Sequence, residues 1–349
     1  MKHIVHINFS ITIGGIDTML VDILNEQVKT IKTTLIVINN KVDTIVLDNL
    51  DKRVTVIRIN RREASFEVFK FIKLNYILLT LKPSIIHCHN SNVVNFIFFK
   101  TCPITLTVHD VNYSAKSYHK YDMLFAISKA VKKDIESKGN FPIELVYNGV
   151  KDELIKKKNN VLKKGNFKIV VISRLEHKKK GQDLVLNAIK LLINKDKITN
   201  FHIDFIGEGS SKEFLLRQAE ELAIDQYVSF LGSKSRNYIY DNLCNYDLLI
   251  QPSRYEGFGL TIVEAMFAKI PVLVSDIDGP LEIVNNGEYG IIFKNDNSNE
   301  MYIELKKIFK NYNNIVDFYV MKAYTNAENK FSVSKMNENY SLIYEEILK

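Results

Sequence analysis

The run Leu248-Leu249-Ile250-Gln251, then Tyr255-Glu256-Gly257-Phe258-Gly259-Leu260-Thr261-Ile262-Val263-Glu264-Ala265 just beyond it, decides the fold. The first run is short, nearly all apolar and without polar alternation, as a parallel sheet buried on both faces requires. A loop with two glycines follows and opens an apolar helix. The same unit recurs in both directions. Strand-like runs lie at Val272–Val274 and Ile291–Phe293 on one side, and at Lys168–Ile172, Phe201–Ile206 and Val228–Leu231 on the other, with helical patterns at Leu184–Ile193 and Lys212–Ala223. Further back, Ile4–Ile7, Thr34–Ile38, Val54–Ile59, Ile85–His87, Ile104–Val108, Leu124–Ile127 and Leu145–Tyr147 repeat the theme, with helical patterns at Ile16–Gln27 and Phe66–Leu81. Such alternation predicts a doubly wound α/β architecture.

The pattern breaks at Asn148-Gly149-Val150, and the polar, Lys-rich stretch Lys151–Lys168 reads as a linker. The chain therefore divides into residues 1–150, residues 151–330 and a terminal stretch 331–349 that is helical over Met336–Leu348. A length of 349 residues suits two domains rather than one. Open parallel sheets bind ligands beyond the carboxyl ends of their strands, and domain interfaces are favoured sites, so a central cleft is the expected location.

Composition narrows the partners. The chain is 46% apolar and 25% charged, as a soluble globular protein is. A net charge of +7 favours anionic partners, either nucleotides or an acidic membrane surface. The Lys and Arg residues are spread along the chain and no nucleic-acid module signature occurs, so no nucleic acid is expected. Cys88, Cys102 and Cys244 are odd in number and match no zinc spacing, which fits reduced thiols. Met1-Lys2-His3-Ile4-Val5 reads as a first strand rather than a signal peptide, and no run reaches the roughly 18 apolar residues of a membrane span. The expected location is cytoplasmic, with any membrane contact made from the side at the inner face of the plasma membrane.

Two constellations carry chemistry. In Tyr255–Ala265 the glycines let the backbone approach a ligand, and the amides of Gly257, Phe258, Gly259 and Leu260 at a helix N-terminus suit a phosphate. Glu264, one turn into the helix, is placed to accept hydrogen bonds from a ribose, and Glu256 stands at the loop mouth where a sugar would lie. The bland alternative is a Gly-rich loop with two incidental glutamates. The second constellation is Ser173-Arg174-Leu175 followed by His177-Lys178-Lys179-Lys180-Gly181-Gln182-Asp183. Arg174 and Lys180 could bracket a diphosphate, one with a planar fork and the other with a mobile point charge. Lys178 and Lys179 read as a solvated basic loop.

Arg174 with Lys180-Gly181, then Glu256-Gly257-Phe258-Gly259 and Glu264, resembles the retaining glycosyltransferases of family 4. The resemblance covers most of the chain, including Gly14-Gly15 and His109-Asp110, and is more specific in the second half. It implies the GT-B fold, two Rossmann-like doubly wound domains facing a central cleft, with the C-terminal helix crossing back to the first. It implies an acceptor-binding domain at 1–150 and a nucleotide-sugar-binding domain at 151–330. Arg174 and Lys180 would hold the donor diphosphate, Glu264 the ribose, and Glu256 would stabilise positive charge at the anomeric carbon. Gly15 would approach phosphate or sugar, and His109 would contact the donor sugar, against the alternative of a satisfied loop histidine. Ser173 stands where the family usually has Gly.

Asp276-Ile277-Asp278 matches the metal-binding Asp-x-Asp of other transferases, but a three-residue match is weak. In the resembling family this loop faces the donor sugar, so Gly279 and Pro280 are assigned to the sugar end and no metal or other cofactor is expected. His89 reads as a cleft residue and His87 as structural. The implied activity is retaining transfer of a hexose or N-acetylhexosamine from a nucleotide-sugar, with UDP expected and GDP open, to a saccharide or lipid-linked saccharide acceptor in surface polysaccharide synthesis. A nucleotide-sugar 2-epimerase of the same fold, or a non-catalytic nucleotide-sugar-binding partner subunit, are the competing readings. Arg53, Arg58, Arg61, Arg62, Lys70 and Lys73 cluster around the helical pattern carrying Phe66, Phe69, Ile72 and Leu79, which reads equally as an ordinary half-buried surface helix or as a surface for an anionic membrane.

Overall fold

The computed structural model describes residues 2–12, 14–65, 67–159 and 165–349. The chain forms two compact units, Met1–Val150 with Lys330–Lys349, and Lys151–Asn329.

The first unit runs β1 (His3–Asn8), α1 (Gly15–Gln27), β2 (Lys32–Asn39), α2 (Thr44–Leu47), β3 (Thr55–Arg61), α3 (Val68–Leu81), β4 (Ile85–Cys88), β5 (Ile104–Val108), β6 (Met123–Ala126), α4 (Lys129–Glu136) and β7 (Ile143–Leu145). Its strands form one parallel sheet in the order β3-β2-β1-β4-β5-β6-β7. The predicted strand Leu145–Tyr147 is corrected to β7, which begins just after Pro142. Phe66, predicted to open α3, lies outside the described residues, and the helix begins at Val68.

The second unit runs β8 (Phe167–Ile172), α5 (His177–Lys180), α6 (Gln182–Asp196), β9 (Phe201–Ile206), α7 (Lys212–Glu221), β10 (Val228–Phe230), α8 (Arg236–Asn242), β11 (Leu248–Gln251), α9 (Leu260–Phe267), β12 (Val272–Ser275), α10 (Asp278–Ile283), β13 (Ile291–Phe293) and α11 (Ser298–Lys330). Its sheet is parallel, in the order β10-β9-β8-β11-β12-β13. The expected linker is corrected in part. Lys156 and Lys158 donate their backbone N–H groups to Tyr240 and Ala268, and the Lys158 ammonium pairs with Asp247 in a nearly buried ion pair, so this segment is docked on the second unit. Residues 160–164 of that stretch lie outside the described residues. The basic loop His177–Lys180 is a helical turn.

The last helix, α12 (Val333–Ile347), belongs to the first unit. Val333, Met336, Tyr340 and Tyr344 recur at helical spacing and are buried with Leu20, Leu24, Leu35 and Phe125. Val150 N–H donates to Phe331 O at 2.8 Å and Val333 N–H to Val150 O at 3.0 Å, which fixes the entry of the helix. Ser332 caps it by accepting from Lys335 N–H.

Polar side chains interrupt the first sheet's apolar core in one row. The rings of His6 and His87 stack at 5.0 Å, His87 and His89 at 4.8 Å, and His89 and His109 at 5.5 Å. His87 is satisfied by Thr107 Oγ1 at 2.7 Å and by the Tyr344 hydroxyl. Burial holds His6 and His109 down to about 4, and lowers His87 and His89 as well. The row is therefore neutral at pH 7. Below the unfolded imidazole value of about 6.5 the unfolded chain binds protons that the folded row refuses, so stability is full above that pH and is lost as pH falls toward 4. Urea unfolding between pH 7 and 5 is expected to show stability falling by up to about 1.4 kcal/mol per pH unit for each such histidine, with a shallower slope in His6→Gln. A pH-independent midpoint over this range would contradict the neutral row.

Candidate active site

Loops leaving the carboxyl ends of parallel strands diverge where the strand order reverses, and that opens a crevice. In the second sheet the reversal lies between β8 and β11. The loop after β8 carries Arg174 and Lys180, and the loop after β11 carries Glu256.

The structure brings Lys180 and Glu256 into contact. Lys180 Nζ donates to Glu256 Oε2 at 2.6 Å, and both side chains are 17% exposed. The same oxygen accepts from Gln251 Nε2 at 3.0 Å, and Gln251 Oε1 accepts from Thr261 Oγ1 at 3.0 Å, which ties the pair to α9. The close approach of the loops depends on Gly181. It adopts φ +66, and a Cβ there would lie 2.0 Å from Pro252 O. Gly259, at φ +115, turns the chain into α9.

Arg254 fastens the two loops. Its guanidinium forks onto Asp183 with two bonds of 2.8 Å, reaches Asp296 at 2.7 Å and donates to His177 O at 2.7 Å. Its own N–H donates to Lys179 O at 2.9 Å. Lys180 thus sits between residues that Arg254 grips on either side.

Arg174 is exposed, and its guanidinium has no acidic partner among the described residues. Its carbonyl accepts from Gln182 Nε2 at 2.8 Å, and the same amide donates to Ser173 Oγ at 2.8 Å, so the serine hydroxyl helps to shape this loop. Glu264 is 9% exposed, one turn into α9. Gly257 and Phe258 are buried in the loop, and Leu260 opens the helix. Gly279 and Pro280 are buried in α10, and a Cβ on Gly279 would lie 2.5 Å from Glu256 O, so α10 backs directly onto the glutamate loop. Asp276 Oδ1 accepts from Asn295 N–H at 2.6 Å, and Asp276 and Asp278 are both exposed.

The first sheet reverses between β1 and β4. A cavity of about 310 Å³ lies there, lined by Phe9, Ile16, His89, Asn90, His109 and Tyr118 among others. Gly15 is exposed at the start of α1, next to Ile16. Asp17 anchors the loop before it, accepting from Thr12 N–H at 2.7 Å and Asn8 Nδ2 at 2.9 Å, and burial raises its pKa. His109 Nε2 lies 3.3 Å from His89 Nδ1, His89 Nε2 lies 3.0 Å from His6 Nδ1, and His6 Nε2 lies 2.7 Å from Gln27 Oε1. His109 Nδ1 has no partner among the described residues.

No sequence pattern assigns Arg254, Asp183, Gln182 or Gln251 a role of its own. Gln251 leaves a trace, a polar residue at the carboxyl end of a buried strand. Arg254 and Asp183 leave none, since their pairing follows from loop adjacency. The pair is partly exposed, so its loss falls short of the 3–5 kcal/mol of a fully buried ion pair. Arg254→Met and Asp183→Asn are each expected to cost about 1–3 kcal/mol of stability. The double variant should be little worse than either single one, as chemical unfolding would show. Additive losses would mean that the two residues act separately.

Two family models match the chain in succession. Residues 13–154 match the family described as Glycosyltransferase Family 4, and residues 152–320 match Glycosyl transferases group 1. A poly(ribitol-phosphate) alpha-N-acetylglucosaminyltransferase of Staphylococcus aureus is 29% identical over 45% of this chain and 31% of its own length. The N-acetylgalactosamine-N,N'-diacetylbacillosaminyl-diphospho-undecaprenol 4-alpha-N-acetylgalactosaminyltransferase of Campylobacter jejuni is 29% identical over 60% of this chain and 55% of its own. The chain thus matches about a third to a half of the length of these relatives. The Anabaena protein HepE, solved with UDP and glucose, superposes with a TM-score of 0.83 at 18% identity, over 99% of this chain and 100% of that one, a likeness of fold. With both halves of the two-sheet fold matched, the chain belongs to the group 1 glycosyltransferases of the GT-B fold.

Proposed function

We propose that the chain transfers a sugar from a nucleoside diphosphate donor to a saccharide or lipid-linked saccharide, with retention at the anomeric carbon and without a divalent metal. The observation that carries this reading is the Lys180–Glu256 contact at the second sheet's reversal point, with Arg174 exposed on the neighbouring loop. A leaving nucleoside diphosphate bears two or three negative charges. Arg174, Lys180 and the amides from Gly257 to Leu260 would offset them with donors already in place. Glu264 would hold the ribose, and Gly279 and Pro280 would border the sugar. Gly15 would approach the phosphate or sugar, and His109 would contact the donor sugar.

When the donor phosphates engage Lys180, Glu256 gives up its cation and turns its charge to the anomeric carbon as positive character develops there. No carboxylate is assigned as an inverting base and none as a nucleophile. The acceptor then attacks from the face that the leaving phosphate vacates, and the phosphate takes its proton. UDP is favoured as the carrier by the ligand in HepE, and a cell-surface polymer or a lipid-linked glycan by the names of the bacterial relatives. A cytoplasmic location, where nucleotide-sugars are made, belongs to the same proposal.

Calorimetry with UDP tests the site. Lys180→Ala is expected to weaken binding by about 1.5–3 kcal/mol, roughly ten- to hundredfold. Glu264→Ala should weaken it too, and Glu264→Gln less, because an amide still accepts one bond. Glu256→Gln should keep UDP affinity and lose turnover. Equal affinity of wild type and Lys180→Ala would remove the assignment, and an inverted product anomer by NMR coupling would remove the mechanism.

A further inference from the structure

Helix α3 is apolar on two adjoining faces. Phe71, Leu74 and Leu78 are buried against the first unit. Val68, Phe69, Ile72, Tyr76 and Leu79 form a second stripe at helical spacing, and it is open to solvent, with Phe69 85% and Tyr76 70% exposed. The adjoining loop enlarges it. Asn75, buried on α3, donates from Nδ2 to Phe96 O at 2.8 Å and accepts from Phe98 N–H at 2.7 Å. This pins a segment whose Phe98 and Phe99 are 52% and 59% exposed. A monomer rarely leaves so many large apolar side chains together in water without a use for them.

The charge around the patch is mostly positive. From Val68 to His109 the chain contains no Asp or Glu, while Lys70, Lys73, Lys82 and Lys100 fall in that stretch. Lys73 and Lys82 are exposed, as is Arg58 on β3, the edge strand against which α3 packs. Lys100 is shared with Asp122. The basic cluster expected from sequence is smaller in the fold. Arg53 is paired with Asp51 at 2.7 Å, and Arg61 lies over the rings of Phe9 and Phe71 and donates to Asn39 Oδ1. Among the described residues no helix is long and apolar enough to cross a membrane.

We propose that α3 and the Phe98-Phe99 loop form a docking surface for an anionic lipid bilayer, with the aromatic and aliphatic side chains entering the interface and the lysines meeting the headgroups. The bilayer is favoured over a second copy of the chain because the carboxylates nearest the patch are already engaged within the chain, Glu67 by Ser65 Oγ and Arg62 N–H and Asp122 by Lys100, while Lys73 and Lys82 stand exposed. The surface stands on these exposed residues and needs no assumption about the donor site.

The experiment is flotation of the purified full chain with vesicles of phosphatidylcholine alone and of phosphatidylcholine with phosphatidylglycerol, at low and high salt. The bound fraction should be roughly tenfold higher on the anionic vesicles at low salt than on neutral vesicles or at high salt. Phe69→Ser with Tyr76→Ser, and separately Lys73→Glu, should lower it, while Ile45→Ser, also on an exposed apolar residue but outside the patch, should not. UDP affinity and the unfolding midpoint should stay unchanged in all of them, which separates this test from that of the donor site. Absence of flotation with either vesicle, flotation that survives the double substitution, or self-association abolished by it in place of lipid binding would each overturn the proposal.

Discussion

The second unit's crevice depends on the fork of Arg254 onto Asp183. Lys180 and Glu256 leave different strands and reach each other only if their loops are held at hydrogen-bond distance. Arg254 does this with two bonds to one loop's helix and one to Asp296 beyond β13, while its own position precedes Glu256 by two residues. A long lysine side chain loses about 2 kcal/mol of rotamer freedom when it is fixed. Here that ordering is already done before any phosphate arrives, because Glu256 holds the ammonium. In the proposed function the donor takes the place that Glu256 now fills, and Gly181 is the residue that lets the pair close.

The two units differ in charge at equivalent places in their sheets. At its reversal point the second unit holds Lys180 on Glu256, with Arg174 exposed on the neighbouring loop. The first unit gathers a row of histidines that burial keeps uncharged, ending at His109 beside a cavity. A phosphate suits the first arrangement, and an uncharged hydroxyl-rich partner suits the second. The shared strand order therefore positions two different chemistries from one topology.

Much of this was legible in the sequence because parallel strands buried on both faces read as short apolar runs. Arg174, Lys180, Glu256 and Glu264 were legible for a related reason, since each lies a fixed distance beyond such a run. The pairing of Arg254 with Asp183 was not. The two residues are 71 positions apart, and they meet only because β8 and β11 are neighbours, an order that no local pattern encodes. The histidine row escaped notice for the same reason. His6 and Gln27 look like isolated polar residues until β1, β4 and β5 lie side by side. In α11 the buried positions Met301, Leu305 and Ile308, and later Val320 and Ala327, are interspersed with Lys and Asn, which dilutes the helical period, and the helix leaves regular geometry at Asn311.

In the proposed function, basic side chains and helix amides, rather than a metal ion, neutralise the departing nucleoside diphosphate. Its most direct test is the rate of release of UDP from UDP-sugars by the purified full chain, measured with excess EDTA and with added Mn²⁺. The rate should be the same in both and should be lost in Arg174→Ala. A rate that collapses in EDTA and returns with Mn²⁺ would contradict it and would bring Asp276 and Asp278 back as metal ligands.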